Sequence, residues 1–184
     1  MALLGSDTFV TGPFPRGVLL LETLAGREVL GLPYAFELGL LSEDAHLDSE
    51  AVLGQPLAVG IRLASGAYRC FHGIVTSFGQ EGTTHRHARY TATLEPALAR
   101  LAYAAECRVF NEPAQTALGI VTAVLAERGI TDLESGAVAG HAFRARELCV
   151  QYRETDFHFA QRLLEEEGIY YLLVRRARGA ARSG

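Results

Sequence analysis

The chain is 184 residues long, 49% hydrophobic and 21% charged, with a formal net charge of −4. Such a composition is ordinary for a globular chain with a real core and excludes wholesale disorder. The charge is unevenly placed: Arg175, Arg176, Arg178 and Arg182 fall near the end, leaving residues 1–174 with 13 arginines against 21 acids, an acidic body that does not suggest a phosphate-binding surface.

Residues 1–16 read as a loop-like arm, because Gly12, Pro13 and Pro15 break any element. Val18 to Leu24 is an apolar run fit for a buried strand, and Ala25 to Glu28 a polar turn around Gly26. Tyr34, Phe36, Leu38 and Leu40 alternate with Ala35, Glu37 and Gly39, the period-two mark of a half-buried strand. Asp48 and Ser49 are placed to cap a short helical turn that Gly54 ends and Pro56 follows. Leu57, Val59, Ile61 and Leu63 alternate again, and Ser65-Gly66 supplies a tight hairpin turn. Tyr68 to Phe78 is a long strand in which Gly73 marks a bulge or a close backbone approach. Gln80 to Thr84 is expected to form a loop tip, before Tyr90, Ala92 and Leu94 set the inward face of one more strand. Short alternating runs joined by turns indicate a small antiparallel barrel or sandwich.

The character changes after Pro96. Ala97 to Tyr103 is an apolar connection and Cys107 to Phe110 a short strand. Asn111 is the expected cap of a helix with Pro113 in its first turn, Leu118, Val121 and Leu125 on one face, and Gly129 as its stop. After a loop over Thr131 to Gly140, a strand is expected from Arg144 to Tyr152. Thr155 then caps a helix with Asp156 in its first turn, where the dipole favours a negative charge. Phe159 and Leu163 share its core face, broadened by Ala160 and Leu164. Glu165 and Glu166 sit where the dipole disfavours them, which calls for a basic partner, solvent or a neighbouring subunit. Gly168 ends the helix, and Ile169 to Val174 reads as a core strand. The basic tail has no periodicity and reads as disordered.

Candidate chemistry is sparse. All 17 basic residues are Arg, for which codon bias is the first reading and selection for bidentate Arg pairing the second, and the lack of Lys removes Schiff-base and P-loop lysines. Cys70, Cys107 and Cys149 lie far apart and fit small buried hydrophobes better than a disulfide framework or a zinc site. His85 and His87, two apart, would share a strand face, but no third ligand lies near; His72, beside Gly73, reads as a sheet residue. His158 with Asp156 and Glu154 fits a helix start better than an acid–base pair. Glu165, Glu166 and Glu167 point about 100° apart in turn and line no common pocket. There is no Gly-rich phosphate loop and no G-x-S-x-G elbow. The residues alone therefore define a strand-rich α+β chain with no catalytic, cofactor or metal residues assigned. The amino terminus lacks a basic region and has too short an apolar run for a signal peptide, so the chain is expected to be made in the cytoplasm and exported, if at all, by another route. Its longest apolar runs are far below membrane-span length.

Several stretches together resemble the amino-terminal, phage-hub-like part of the VgrG spike proteins of type VI secretion systems. They are FELGLLSED (Phe36 to Asp44), LGQPLAVGI (Leu53 to Ile61), YRCFHGIVTSFG (Tyr68 to Gly79), YTATLEPALARLAY (Tyr90 to Tyr103), CRVFNEPAQTALGIVTAVLAERGI (Cys107 to Ile130) and QYRETDFHFAQRLLEEEGIYY (Gln151 to Tyr171). The resemblance covers roughly residues 16–174. It implies a structural protein, not an enzyme. Three copies would form a hub whose barrel-like domains face a hexameric Hcp tube. A needle, a PAAR protein and effectors would attach through regions absent from this chain. The apparatus would carry the spike out of the cell, with no nucleic acid partner and no stable membrane insertion. Phe71 to Val75 and Gln151 to Tyr171 take packing roles.

The expected fold is α+β and phage tail hub-like: an arm over residues 1–16, an antiparallel β-barrel-like hub domain over 17–103, a small α/β module over 104–174 and a disordered basic tail over 175–184. Members of the family continue well past the strand after EEEGIYY, so the sequence is expected to be a truncated N-terminal portion. A baseplate hub protein of a contractile phage tail, or of a tail-derived particle, is the near alternative. Two other classes remain: a cell-wall hydrolase accessory domain using Glu154, Asp156 and Glu165, and a free binding or immunity-like adaptor.

Overall fold

A computed structural model describes residues 7–29, 31–138 and 140–173. The chain divides into two compact units, with the described residues up to Pro96 in one and Ala97–Leu172 in the other.

The first unit is a six-stranded antiparallel sheet. Its strands are β1 (Thr8–Thr11), β2 (Leu20–Arg27), β3 (Ala35–Ser42), β4 (Pro56–Arg62), β5 (Tyr68–Thr83) and β6 (Ala88–Glu95), in the order β1-β4-β5-β6-β3-β2. The sheet curls so that its two edge strands, β1 and β2, approach each other, giving the expected barrel-like form. Alternation decides which side of each strand is buried: Phe36, Leu38 and Leu40 on β3, Leu57 and Val59 on β4, and Tyr90, Ala92 and Leu94 on β6 all enter one core. The rings of Phe36 and Phe71 meet edge to face with centroids 5.1 Å apart. Two tyrosines bring polar tips out of this core. Tyr34 Oη donates to the His72 carbonyl at 2.8 Å, and Tyr90 Oη donates to the Asp44 carbonyl at 3.0 Å.

Gly73 makes the close approach its position implied. A Cβ built there would lie 2.5 Å from the Glu95 carbonyl oxygen. The irregularity of β5 comes later, where Thr76 and Glu81 are extra residues in the ladder with β6. The turn at Gly54 (φ +74°) and the hairpin at Gly66 (φ +83°) both place glycine in the left-handed region.

Three expectations for this unit are corrected. The supposed arm contains β1, held by a register of Phe9 opposite Gly60 and Val10 opposite Val59; four residues before Gly12 suffice for an edge strand. The supposed turn at Ala25–Glu28 is the end of β2, whose Gly26 sits opposite Phe36 because the ring leaves no room for a Cβ there. The supposed tip at Gln80–Thr84 is mostly strand: β5 runs to Thr83, and the chain reverses over Thr84–His87, where the Thr84 amide donates to the His87 carbonyl at 2.7 Å.

The second unit begins with a 3-10 helix over Ala97–Tyr103, whose Leu101 is fully buried. Strand β7 (Ala105–Phe110) pairs with β8 (Cys149–Thr155) as a two-stranded ribbon, and helices α1 (Ala117–Glu127) and α2 (Asp156–Glu166) complete the unit. Ile120, Val121, Val124 and Leu125 of α1 share a buried cluster with Phe159, Ala160 and Leu163 of α2, and the Phe110 and Phe159 rings stack at 5.6 Å. Both helices stop alike. Gly129 and Gly168 adopt φ of +74° and +68°, and the amides of Ile130 and Ile169 donate back to the carbonyls of Leu125 and Leu164.

Three expectations for the second unit are also corrected. The cap of α1 is Thr116, not Asn111, because Ala114 at φ 63° turns the chain between Pro113 and the helix. Of the expected face Val121 and Leu125 are buried, while Leu118 is only partly so; Ala117, Ile120 and Val124 complete the stripe. The strand expected from Arg144 begins only at Cys149, preceded by a single bridge between Ala145 and Thr116. Residues 169–173 form no strand, since no ladder among the described residues includes them, and Val174 and the basic tail lie outside the described residues.

Candidate functional site

Among the described residues the densest polar constellation surrounds Asp156. It is built by the exit of β8. The register passes from Tyr152 opposite Cys107 to Glu154 opposite Glu106, so Arg153 is an extra residue, held at φ 50°. Thr155 then caps α2, its Oγ1 accepting from the His158 amide at 3.1 Å. The next residue, Asp156, is left fully buried at the first turn.

Burial of a lone carboxylate would be costly, and the surrounding side chains offset it. Asp156 Oδ1 accepts from Arg108 Nη2 at 2.7 Å and from Gln151 Nε2 at 2.8 Å, and Oδ2 accepts from Arg128 Nε at 2.7 Å. Arg108 continues to Glu127 and Arg128 to Glu106, each at 2.7 Å. Burial pushes the Asp156 carboxyl up, but the Gln151 hydrogen bond and the Arg128 and Arg108 guanidiniums outweigh it and hold the group below the usual aspartate range. Hydrogen bonding to Asp156 in turn raises Arg128.

A second cluster grips the other end of α2. Arg146 donates to Glu166 at 2.6 Å and to Glu167 at 2.9 Å, while Arg162 donates to Glu154 at 2.7 Å and to Glu166 at 3.2 Å. The Arg146 guanidinium holds the Glu166 carboxyl low, against a smaller upward push from burial. Arg146 and Arg162 are thus the basic partners that the acidic end of the helix called for. Glu165 instead stays exposed and accepts from Gln161 Nε2 at 2.9 Å. Arg162 also donates to the Val150 carbonyl at 3.3 Å, so a helix side chain caps a backbone acceptor of β8.

The three carboxylates considered for hydrolysis are therefore engaged separately: Glu154 with Arg162, Asp156 with Arg108 and Arg128, and Glu165 with Gln161. Asp156, held ionised below its usual range, is a poor general acid near neutrality. None of the three lines the shallow open cleft of about 990 Å³ bounded by Asn111–Ala114, Arg144–Leu148 and Glu167. His85 lies in the exposed turn after β5 and His87 at its end, while His72 sits on β5 opposite Ala58. Among the described residues no three His, Cys, Asp or Glu side chains converge as a metal site requires. Cys149 is buried, but Cys70 is only partly so and Cys107 is exposed, so the expectation of three buried thiols holds for one.

Phe71 and Val75 are core residues of the first unit, and Gln151, Phe159 and Leu163 are fully buried in the second. The Arg108–Asp156–Arg128 bridge was not legible beforehand. Its partners come from 48 and 28 residues away in sequence, and the only local signal was an acid at a helix start.

The family model for the phage tail baseplate hub (GPD) matches residues 27–182. The type VI secretion system spike protein VgrG1b of Pseudomonas aeruginosa is 40% identical over 162 residues, which is 88% of this chain and 21% of that protein. VgrG1a of the same organism is 41% identical over 86% of this chain and 24% of its own length. The chain thus spans between a fifth and a quarter of these relatives. A solved E. coli protein, c3393, described as a component of the type VI secretion system with structural similarity to the T4 tail proteins gp27 and gp5, superimposes with a TM-score of 0.62 at 28% identity, covering 87% of this chain and 39% of that one. The 43 kDa tail protein of prophage MuSo2 from Shewanella oneidensis shares the fold, with a TM-score of 0.53 at 15% identity over 89% of this chain and 50% of its own.

Proposed function

This chain belongs to the phage tail baseplate hub (GPD) family, and we propose that it serves as the amino-proximal hub portion of a type VI secretion spike. The observation that carries this reading is the 40% identity to a spike protein over 88% of the chain. In this reading the curled sheet of the first unit is the barrel-like domain that faces a hexameric Hcp tube, and the second unit is the α+β module of the hub. Three copies make the hub. PAAR proteins and effectors attach through segments outside these 184 residues, and the apparatus carries the spike from the cytoplasm into its target.

The work of the chain is mechanical, with no catalytic, cofactor or metal residue assigned. Its arginine–carboxylate clusters fix the exit of β8 and both ends of α2. One relative, 34% identical over 88% of this chain, is named an actin cross-linking toxin, but the match covers only 15% of that protein. A hub of a contractile phage tail is the second reading, favoured by the matched family itself.

The test is the mass of the purified chain, alone and with Hcp hexamers. A trimer, or three chains per hexamer, supports the spike hub; a chain that remains unassociated with Hcp overturns it. Turnover of purified peptidoglycan by the wild type but not by Glu154→Gln would overturn the mechanical assignment.

A further inference from the structure

The edge strands of the first unit are blunted in two ways: β1 is four residues long, and β2 carries an extra residue, Glu22, in its ladder with β3. Strand β8 has neither protection over its first half. Among the described residues it pairs with β7 alone, so its far side is the open edge of a two-stranded ribbon. Cys149, Val150, Gln151 and Tyr152 pair with β7 without interruption and carry no charge. A regular, uncharged open edge is a template for strand addition.

One side chain stands across that edge. Arg162 of α2 reaches back to β8 and donates from Nη2 to the Val150 carbonyl at 3.3 Å. Other groups fix the guanidinium in place. Nε and Nη2 grip the two oxygens of Glu154 at 3.5 and 2.7 Å, Nη1 donates to Glu166 at 3.2 Å, and the group lies 5.4 Å from the centroid of the Phe159 ring. Glu154 belongs to β8 and Glu166 to α2, so strand and helix hold the arginine together. Val150 and Tyr152, two residues apart, turn their backbone groups to the same side of the strand. A strand arriving there needs the Val150 carbonyl and meets a charged, prearranged group instead. A lysine offers a single point charge and cannot make this fork.

We propose that Arg162 is an edge guard, which keeps β8 of one copy from accepting a strand of another. Its pairing with Glu154 and Glu166 supplies the rigidity that this role requires. The proposal goes beyond the hub reading and does not depend on it. Copies that assemble as a hub do so through other surfaces, and the guard keeps such an assembly from growing strand by strand.

Sedimentation velocity and infrared spectroscopy of the full chain test it. Arg162→Met keeps an unbranched side chain over the Phe159 ring and removes the guanidinium. Its self-association is expected to be about tenfold tighter than the parent's, as for one or two hydrogen bonds no longer blocked, with an added intermolecular β-sheet band. Glu166→Gln controls for lost stability. It weakens the pairs with Arg146 and Arg162 but leaves Arg162 on Glu154 and the Val150 carbonyl, so its mass should match the parent's. Tyr152→Pro removes an edge N–H and, added to Arg162→Met, should return the mass to the parent's with the far-ultraviolet circular dichroism spectrum unchanged. An Arg162→Met chain that sediments as the parent does overturns the proposal. So does association of Glu166→Gln equal to that of Arg162→Met, or association that survives Tyr152→Pro. Binding to Hcp, measured separately, bears on the hub reading alone.

Discussion

Gln151 and Asp156, both fully buried, are joined by a 2.8 Å hydrogen bond from Nε2 to Oδ1, across the one place where β8 departs from regular alternation. Strand end and helix start are thereby tied together inside the second unit, and Arg108 and Arg128 supply the charge that lets the carboxylate stay there.

Replacing Asp156 by Asn should destabilise the fold towards the low end of the roughly 3–5 kcal/mol typical of a broken buried pair, because both arginines are partly exposed and keep Glu127 and Glu106. The folded-state pKa of Asp156 lies below its unfolded value, and that of Glu166 does likewise. Their contribution is therefore present above about pH 4, where unfolded carboxylates ionise, and is lost as pH falls through the folded values. Urea midpoints measured from neutrality downwards should drop in this acid range, and Asp156→Asn should flatten the fall. An unchanged slope in the variant would contradict the assignment.

Phe159→Ala should cost about 3–5 kcal/mol, because the ring is fully buried and stacked on Phe110. Thermal unfolding measures it, and an unchanged melting temperature would remove Phe159 from the core.

Gly73→Ala and Gly79→Ala form a matched pair on β5. The first drives a methyl group into the Glu95 carbonyl and should lose about 1–3 kcal/mol through backbone displacement. The second meets only Thr91 Oγ1 at 4.0 Å and should lie within about 1 kcal/mol of the parent. Equal urea midpoints for the two variants would contradict the close approach.

Ala114→Gly should gain about 0.5–1 kcal/mol. The left-handed φ of 63° penalises a Cβ, and release of that strain exceeds the extra freedom glycine gives the unfolded chain. A loss of stability on substitution would contradict it.

Alternation made the first unit largely legible, because each strand of a one-sided sheet must bury every second residue; Phe36, Leu38 and Leu40 announced their face without any partner known. Where the reading failed, it took a residue's usual habit for its local context. Gly26 and Gly82 looked like turn formers, yet both lie in strands, Gly26 because the Phe36 ring stands where its side chain would be. Asn111 looked like a cap, but a left-handed alanine three residues later postponed the helix. The cap at Thr155 and the stops at Gly129 and Gly168 were readable because they are local. The bridges to Asp156 were not, because an arginine on β7 and another after α1 have no sequence relation to an acid on α2 until the chain folds.

Arg153 makes the residue count of β8 odd where the ladder needs it even. Removing that one residue would leave Tyr152 opposite Cys107 and Glu154 opposite Glu106, so the ladder would simply close up and Thr155 would keep its place opposite Ala105. What would go is the left-handed kink at φ 50° through which the strand enters the cap at Thr155. Asp156 reaches Arg108 and Arg128, and Phe159 and Leu163 their core, along the path this kink sets. The extra residue thus aims the helix rather than lengthening the strand.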